Sequence, residues 1–411
     1  MPVTMSSEKE KSNLLYATVG FFIGFAGLSI YGPLVPKLSH TLHLTPLSAG
    51  ILAAIANLSG SLLRLPFGAW ADKYGPKRPF IVLLLASFVG LLGVLVVMAT
   101  SYPHHMKGLY PLLLVLGMLV GAGIATFPVG IAQVSYSSDR TRQGTALALY
   151  AGLGNLAPGI FALLLPIALS SMGMIPAYAM WAAIMLVAVL WYLTKAPTPT
   201  RSSKSQGAGQ GFAAAARTIA TWPLTFLYFI SFGGFLALVA WLPSFWVNSF
   251  NMPLIHAGFL TLVFTVTTSL IRIVGGWMAD RISPALIIAF SLLLIAVGAG
   301  IVSSSSALSG AILGVLTIGT GMGIQNGAVF KYVPNRVPHA VGGAAGIVGG
   351  LGAVGGFVIP PAMALAGGAD HTSAGFFILT ALAIMGIPAI MYLSSGSSRR
   401  SANAQYDPEV K

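Results

Sequence analysis

Charged residues are scarce in this chain, and cysteine is absent. Only 7% of the 411 residues are charged, whereas 56% are hydrophobic and the mean hydropathy is +0.86. A soluble protein needs far more charge to cover its surface, so the composition indicates a protein that crosses a membrane many times. The lack of cysteine excludes disulfides, thiol catalysis and thiolate metal sites. The net charge of +13 is scattered over short loops, which argues against a nucleic-acid partner.

Long apolar stretches recur along the sequence, and each could cross a bilayer as a helix of about 20 residues. They are continuous rather than alternating, which argues against the strands of a membrane barrel. We predict an all-α membrane protein with twelve transmembrane helices in two six-helix bundles, 1–194 and 219–394. A flexible cytoplasmic linker, 195–218, joins them, and a disordered cytoplasmic tail, 395–411, follows. The predicted spans are 14–38, 46–71, 79–101, 109–135, 143–170, 174–194, 219–247, 254–278, 284–303, 307–332, 340–367 and 373–394.

Lysine and arginine are distributed unevenly between the two sides of this arrangement. With both termini in the cytoplasm, seventeen of the 21 basic residues fall on the cytoplasmic side, and two, Lys37 and Lys107, fall on the other. An excess of basic residues in cytoplasmic loops is typical of membrane proteins. The sequence therefore predicts cytoplasmic N- and C-termini.

The two remaining basic residues, Arg64 and Arg272, lie inside predicted spans 2 and 8. Each begins the pattern Arg-x3-Gly-x3-Asp, 208 residues apart, which indicates two related halves that share a site. None of the eight acidic residues falls inside a span. The two arginines lie about 12 Å inside the bilayer, so a bound anion is the simplest way to compensate their positive charge. The planar fork of arginine suits a planar oxyanion. Carbonyl partners at a helix break, or a water-filled cavity, are the alternatives.

Glycine-rich runs occur at equivalent places in spans 5 and 11. Small residues let helices approach closely and slide, although plain close packing explains any single glycine equally well. Asn155 adds a hydrogen-bonding side chain inside an apolar helix, where it needs a partner. The candidate gating or packing glycines are Gly152, Gly154, Gly350 and Gly352.

Motifs that combine glycine, an acid and a base mark the cytoplasmic ends of spans 2 and 8. They suit charge contacts that hold a conformational gate, and a solvated loop is the alternative. No nucleophile–base pair, metal-ligand spacing or phosphate loop stands out, so we expect no enzyme activity, no metal and no cofactor. The motif residues are Gly68, Asp72, Lys73, Gly276, Asp280 and Arg281.

Several of these motifs resemble those of known transporters. The stretch from Gly68 to Arg78 resembles the signature between spans 2 and 3 of the major facilitator superfamily. More narrowly, four stretches resemble the nitrate/nitrite porter family, in its bacterial assimilatory branch. They are Ser59-Gly-Ser-Leu-Leu-Arg64-Leu-Pro, Gly152-Leu-Gly-Asn155-Leu, Gly323-Ile-Gln-Asn326-Gly-Ala-Val-Phe330-Lys331 and Gly350-Leu-Gly-Ala-Val-Gly-Gly356-Phe-Val-Ile-Pro360.

This resemblance implies a major facilitator fold in the bacterial inner membrane, with one nitrate or nitrite clamped between Arg64 and Arg272. We also expect a monomer. Two departures from the family pattern are Gly349, where some members carry a small hydroxyl residue, and Pro128 in span 4. The other residues that the resemblance implies around the anion are Tyr228 and Asn155, as hydrogen-bond partners, and Phe232 and Phe127, as aromatic walls.

Alternating access is the mechanism that we expect, with the two halves rocking about a fixed site. The absence of acids and histidines from the spans favours nitrate/nitrite exchange, whereas the resemblance also allows proton-coupled nitrate uptake. A transporter of another small anion, such as cyanate or an organic acid, and a non-transporting sensor or membrane enzyme are the rival interpretations.

Overall fold

The computed structural model describes residues 8–137, 143–197, 208–368 and 372–404. Within these ranges the chain is helical apart from short connections, and it contains no strand. Twelve segments are long and apolar enough to cross a membrane, so the predicted all-α fold with twelve spans is confirmed. In order, the spans are Glu10–Ser29, Pro46–Tyr74, Lys77–Ser101, Tyr110–Ser137, Leu149–Met172, Met174–Lys195, Thr221–Phe250, Leu254–Ala279, Pro284–Ser304, Leu308–Val333, Val341–Gly367 and Ser373–Ser395.

Span 1 is shorter than its apolar run, and the prediction that it extends to residue 38 is wrong. The helix ends at Ser29, and a separate helix, Val35–Leu42, follows after a turn. Pro33 in the turn has no N–H to donate to a helix. Gly32 lies against the carbonyl of Ala240, since a Cβ there would be 3.0 Å from that oxygen. The turn therefore belongs to the contact between the two halves.

Helix breaks inside spans 2 and 5 fall next to candidate site residues. In span 2 the helix Pro46–Leu62 ends and Arg64–Tyr74 begins, because Pro66 has no N–H for the carbonyl four residues earlier. In span 5 the helix Gln143–Asn155 ends three residues before Pro158 in the same way. Span 7 contains a π-helical turn, Phe229–Gly233. Such turns often occur at functional sites.

Two segments that we expected to be unstructured are partly helical. Within the predicted flexible linker, Ala208–Arg217 forms a helix that packs on span 11, where a Cβ on Gly343 would be 2.2 Å from the carbonyl of Gly211. The last helix, Phe377–Ala404, continues into the predicted disordered tail. Both predictions are wrong for these residues, and the rest of each segment lies outside the described residues.

The two halves touch along an outer seam, which we define by Asn57, Gly159, Ser244 and Gly258. Asn57 Nδ2 donates to the carbonyl of Gly356 at 3.1 Å, and Ser244 Oγ donates to the carbonyl of Gly32 at 3.2 Å. A Cβ on Gly258 would be 2.3 Å from the carbonyl oxygen of Ala162, and one on Gly159 would be 2.5 Å from the Thr265 side chain. These contacts bring the helices of the two halves close together along the seam.

Candidate functional site

A cavity of about 1390 Å³ separates the two halves on the side away from the outer seam. Arg64 and Arg272 line it, and so do Asp72 and Asp280, which lie at the ends of spans 2 and 8. Half of the Asp280 side chain is exposed, so the cavity reaches solvent there. We call this the basic end, because Lys73, Lys77, Arg281 and Arg336 also lie at the ends of their helices on this side.

Arg64 is almost completely buried, at 4% exposure, and begins the helix that follows the break at Leu63. Its Nη1 donates to the carbonyl of Gly349 at 3.1 Å, whereas Nε and Nη2 have no partner in the described part of the chain. These two nitrogens form one edge of the guanidinium, and that edge can donate two parallel hydrogen bonds to an oxyanion. A Cβ on Gly350 would be 2.9 Å from the Leu65 side chain, so span 11 approaches Arg64 closely.

Arg272 lies on an unbroken helix, Leu254–Ala279, and is partly exposed to the cavity. Its guanidinium carbon is 6.0 Å from the centre of the Phe330 ring. Arg64 and Arg272 are close enough to repel each other electrostatically. In the part of the chain that the structure describes, the one ion pair joins Lys331 and Asp280, so neither arginine has a carboxylate partner there.

Aromatic rings surround Arg64. Its guanidinium carbon is 5.3 Å from the Phe127 ring centre and 5.2 Å from that of Phe232. Tyr228 stacks on Phe232, with the ring centres 5.0 Å apart, and meets Phe330 edge to face at 4.8 Å. Phe127 lines the cavity, whereas Tyr228, at 1% exposure, and Phe232 lie behind its wall. The rings thus flank the arginine, and their contact with an anion stays a prediction.

Asn155 lines the cavity at 4% exposure, and its Oδ1 has no partner among the described residues. Gly152 and Gly350 also line the cavity. The other two predicted glycines serve packing, since a Cβ on Gly154 would be 2.0 Å from the ring of Phe21 and one on Gly352 would be 2.9 Å from that of Tyr228. For these two positions the close-packing alternative fits the contacts.

The motif residues at the basic end make several contacts, and their predicted role in a conformational gate stays a prediction. Asp280 pairs with Lys331 rather than with the adjacent base, and Asp72 accepts a hydrogen bond of 2.9 Å from Tyr136. Gly68 and Gly276 line the cavity near these acids. Two basic residues of the motifs lie over aromatic rings, namely Lys73 over Tyr74 at 4.9 Å and Arg281 over Trp277 at 4.0 Å.

Comparison with known proteins agrees with this architecture. Residues 17–360 match the profile of the Major Facilitator Superfamily. The chain belongs to this superfamily. Among solved superfamily structures, a D-xylose–proton symporter superposes with a TM-score of 0.74 at 13% identity, over 93% of this chain and 97% of that one. A bacterial homologue of the lysosomal transporter Spinster, in an inward-facing and occupied conformation, gives a TM-score of 0.73 at 13% identity, over 95% and 98% of the two chains.

Curated relatives indicate to which family within the superfamily the chain is similar. A probable nitrate/nitrite antiporter of Thermus thermophilus is 32% identical over 400 residues, 87% of this chain and 86% of that protein. A probable nitrate transporter of Staphylococcus haemolyticus is 29% identical, over 94% and 97% of the two chains. A nitrite extrusion protein of Bacillus subtilis is 27% identical, over 94% and 95%. These matches confirm membership of the nitrate/nitrite porter family.

The cavity also contains residues to which the sequence assigned no role. Asn326 and Phe330 line it from span 10, within a stretch that carries the family resemblance, and Ser269 lines it one turn before Arg272. The family resemblance of this stretch was the available sequence signal, but which of its side chains face the cavity depends on how the helices pack. No cluster of three or more potential metal ligands occurs in the ranges that the structure describes.

Proposed function

We propose that this protein transports nitrate and nitrite across the bacterial inner membrane by alternating access, with one anion held between Arg64 and Arg272. The observation that carries the proposal is the pair of arginines in one cavity between the halves, with no carboxylate partner among the described residues. A buried cation without a partner is costly, and an anionic substrate balances it. Both arginines come from one chain, so a monomer suffices.

The shape of the free donor edge supports a small planar oxyanion. Nε and Nη2 of Arg64 have no partner among the residues that the structure describes, and their parallel N–H bonds match two oxygens of nitrate or of nitrite. Phe127 and Phe232 surround this guanidinium with apolar surface, which excludes water and strengthens the attraction to an anion. The names of the curated relatives, which are bacterial, support the same substrates.

The arrangement of seam and cavity corresponds to one state of a transport cycle. Contacts close the outer seam, while the cavity reaches solvent at the basic end. Because basic loops generally face the cytoplasm, we assign the basic end to the cytoplasm and the state as inward-open. The anion offsets the repulsion between the two arginines, and it thereby favours closure of the loaded transporter over closure of the empty one.

Exchange is the coupling mode that we propose. The acids and the histidine that line the cavity, Asp72, Asp280 and His339, lie at the basic end rather than beside the arginine pair. No acid or histidine of the described residues thus accompanies the anion at its site. Return of the empty carrier then depends on a second anion.

The test is uptake of labelled nitrate into proteoliposomes that contain the purified protein. We expect saturable uptake that needs nitrite or nitrate inside, that does not alkalinise the outside medium, and that is lost in Arg272→Ala. Uptake into vesicles without an internal anion, with alkalinisation outside, would replace exchange by proton symport. Absence of nitrate and nitrite transport under both conditions would refute the proposed function.

A further inference from the structure

Asn326 is a buried carboxamide that lines the cavity. It lies in the helix Leu308–Arg336 at 2% exposure, and its Oδ1 has no hydrogen-bond partner among the described residues. Leaving a buried polar group without a hydrogen-bond partner is destabilising. The neighbouring amide, Gln325, donates instead to the carbonyl of Leu227 at 2.9 Å and does not line the cavity. Asn326 therefore faces the cavity, whereas the adjacent Gln325 faces span 7.

Backbone contacts hold Asn326 beside Arg272. A Cβ on Gly327 would be 2.5 Å from the carbonyl oxygen of Arg272, and one on Gly323 would be 2.5 Å from that of Thr268. Spans 8 and 10 are thus in backbone contact at this level, and Asn326 lies at the depth of Arg272. One turn later on the same face, Phe330 packs over the Arg272 guanidinium.

The cavity is bordered by a carboxamide from each half. Asn155 lies on the side of Arg64, and Asn326 lies on the side of Arg272. The Oδ1 atom of each asparagine has no partner within the described ranges, and neither does the Oγ of Ser269, one turn from Arg272. The two asparagines are not equivalent in the repeat, since spans 5 and 10 do not correspond, so the internal repeat alone does not reveal the pair.

We infer that Asn326 donates a hydrogen bond to the bound anion and sets the preference for nitrate over nitrite, an inference that rests on the proposed function. Rotation of the amide about χ2 exchanges Oδ1 and Nδ2, and Oδ1 has no hydrogen-bond partner among the described residues that would oppose this rotation. An Nδ2 donor can therefore face the cavity.

The number of oxygen atoms in each anion predicts which of the two binds more tightly. Nitrate has three oxygens in a plane, whereas nitrite has two. In the proposed complex, two oxygens of nitrate lie on the Nε–Nη2 edge of Arg64, and the third lies toward Arg272 and Asn326, which line the cavity from the other half. Nitrite has no oxygen in that direction, so it gains less from the amide.

The experiment measures the dissociation constants of nitrate and nitrite for purified protein by calorimetric titration. In Asn326→Ala we expect nitrate binding to weaken about ten-fold or more, as for the loss of a hydrogen bond to a charged group, and nitrite binding to weaken less than about three-fold. The ratio of the two constants, rather than either constant alone, is the readout.

Two further variants keep the test decisive. Asn326→Asp retains the shape but replaces the donor with an acceptor, so nitrate binding should weaken more than in the alanine variant. Gln325→Ala removes a buried amide from the same helix and should lower the melting temperature without changing the ratio. If both Asn326 variants keep the wild-type ratio within two-fold, the inference is wrong while nitrate transport stands. If wild-type protein binds neither anion, the proposed function itself fails.

Discussion

Replacing Arg64 with lysine separates the charge of this side chain from its geometry. Arginine donates to the carbonyl of Gly349 with one nitrogen and keeps the Nε–Nη2 edge free. Lysine keeps the positive charge and can still lie between Phe127 and Phe232, but its ammonium cannot donate two parallel bonds in one plane.

The expected loss is one charge-assisted hydrogen bond, about 1.5–3 kcal/mol, which corresponds to nitrate binding about 10- to 150-fold weaker. The assay is titration of nitrate into purified Arg64→Lys protein, combined with nitrate exchange in proteoliposomes. Arg336→Lys is the matched control. Arg336 donates to the hydroxyl of Tyr332 at 3.1 Å and does not line the cavity. Wild-type affinity and flux in Arg64→Lys would refute the idea that the planar fork holds the anion.

Two further predictions concern close contacts of glycine. Gly258→Leu forces a side chain against a backbone carbonyl of the other half and should open the outer seam. In the double variant with Ser244→Cys, the single cysteine should then react faster with a water-soluble maleimide than it does in Ser244→Cys alone. An unchanged labelling rate would contradict a seam held by this contact. Gly352→Ala places a methyl group 2.9 Å from the ring of Tyr228 and should lower stability by about 1–3 kcal/mol and weaken nitrate binding. Gly300→Ala, which has open space, is its control, and equal nitrate affinity in both variants would exclude a role for the Tyr228 position.

The twelve spans could be predicted from sequence because crossing a bilayer depends on length and apolarity, which are local properties. The end of span 1 was missed, although Pro33 was a local signal, and the contact of Gly32 with the carbonyl of Ala240, more than two hundred residues away, could not be predicted from sequence. The helix Ala208–Arg217 was missed because the residues before it are rich in serine and proline, although its alanine run favours a helix.

The candidate site was predictable where a charge stood out against an apolar background. Arg64 and Arg272 are conspicuous for that reason, and the structure brings them into one cavity. Asn326 is uncharged and adjacent to another amide, so its direction depends on the packing of spans 8 and 10. The pairing of Asp280 with Lys331 likewise joins two spans that sequence spacing does not connect.

The unequal exposure of the two arginines suggests an order for substrate entry and exit under the proposed mechanism. Arg272 is partly exposed, whereas Arg64 lines the same cavity but is almost completely buried beside two aromatic rings. If the two arginines hold the anion as proposed, we expect an anion from the basic end to meet Arg272 first and the Arg64 edge last, and to leave in the reverse sequence. We then expect substitution of Arg272 to change mainly the rate of anion capture, and substitution of Arg64 to change mainly the rate of anion release.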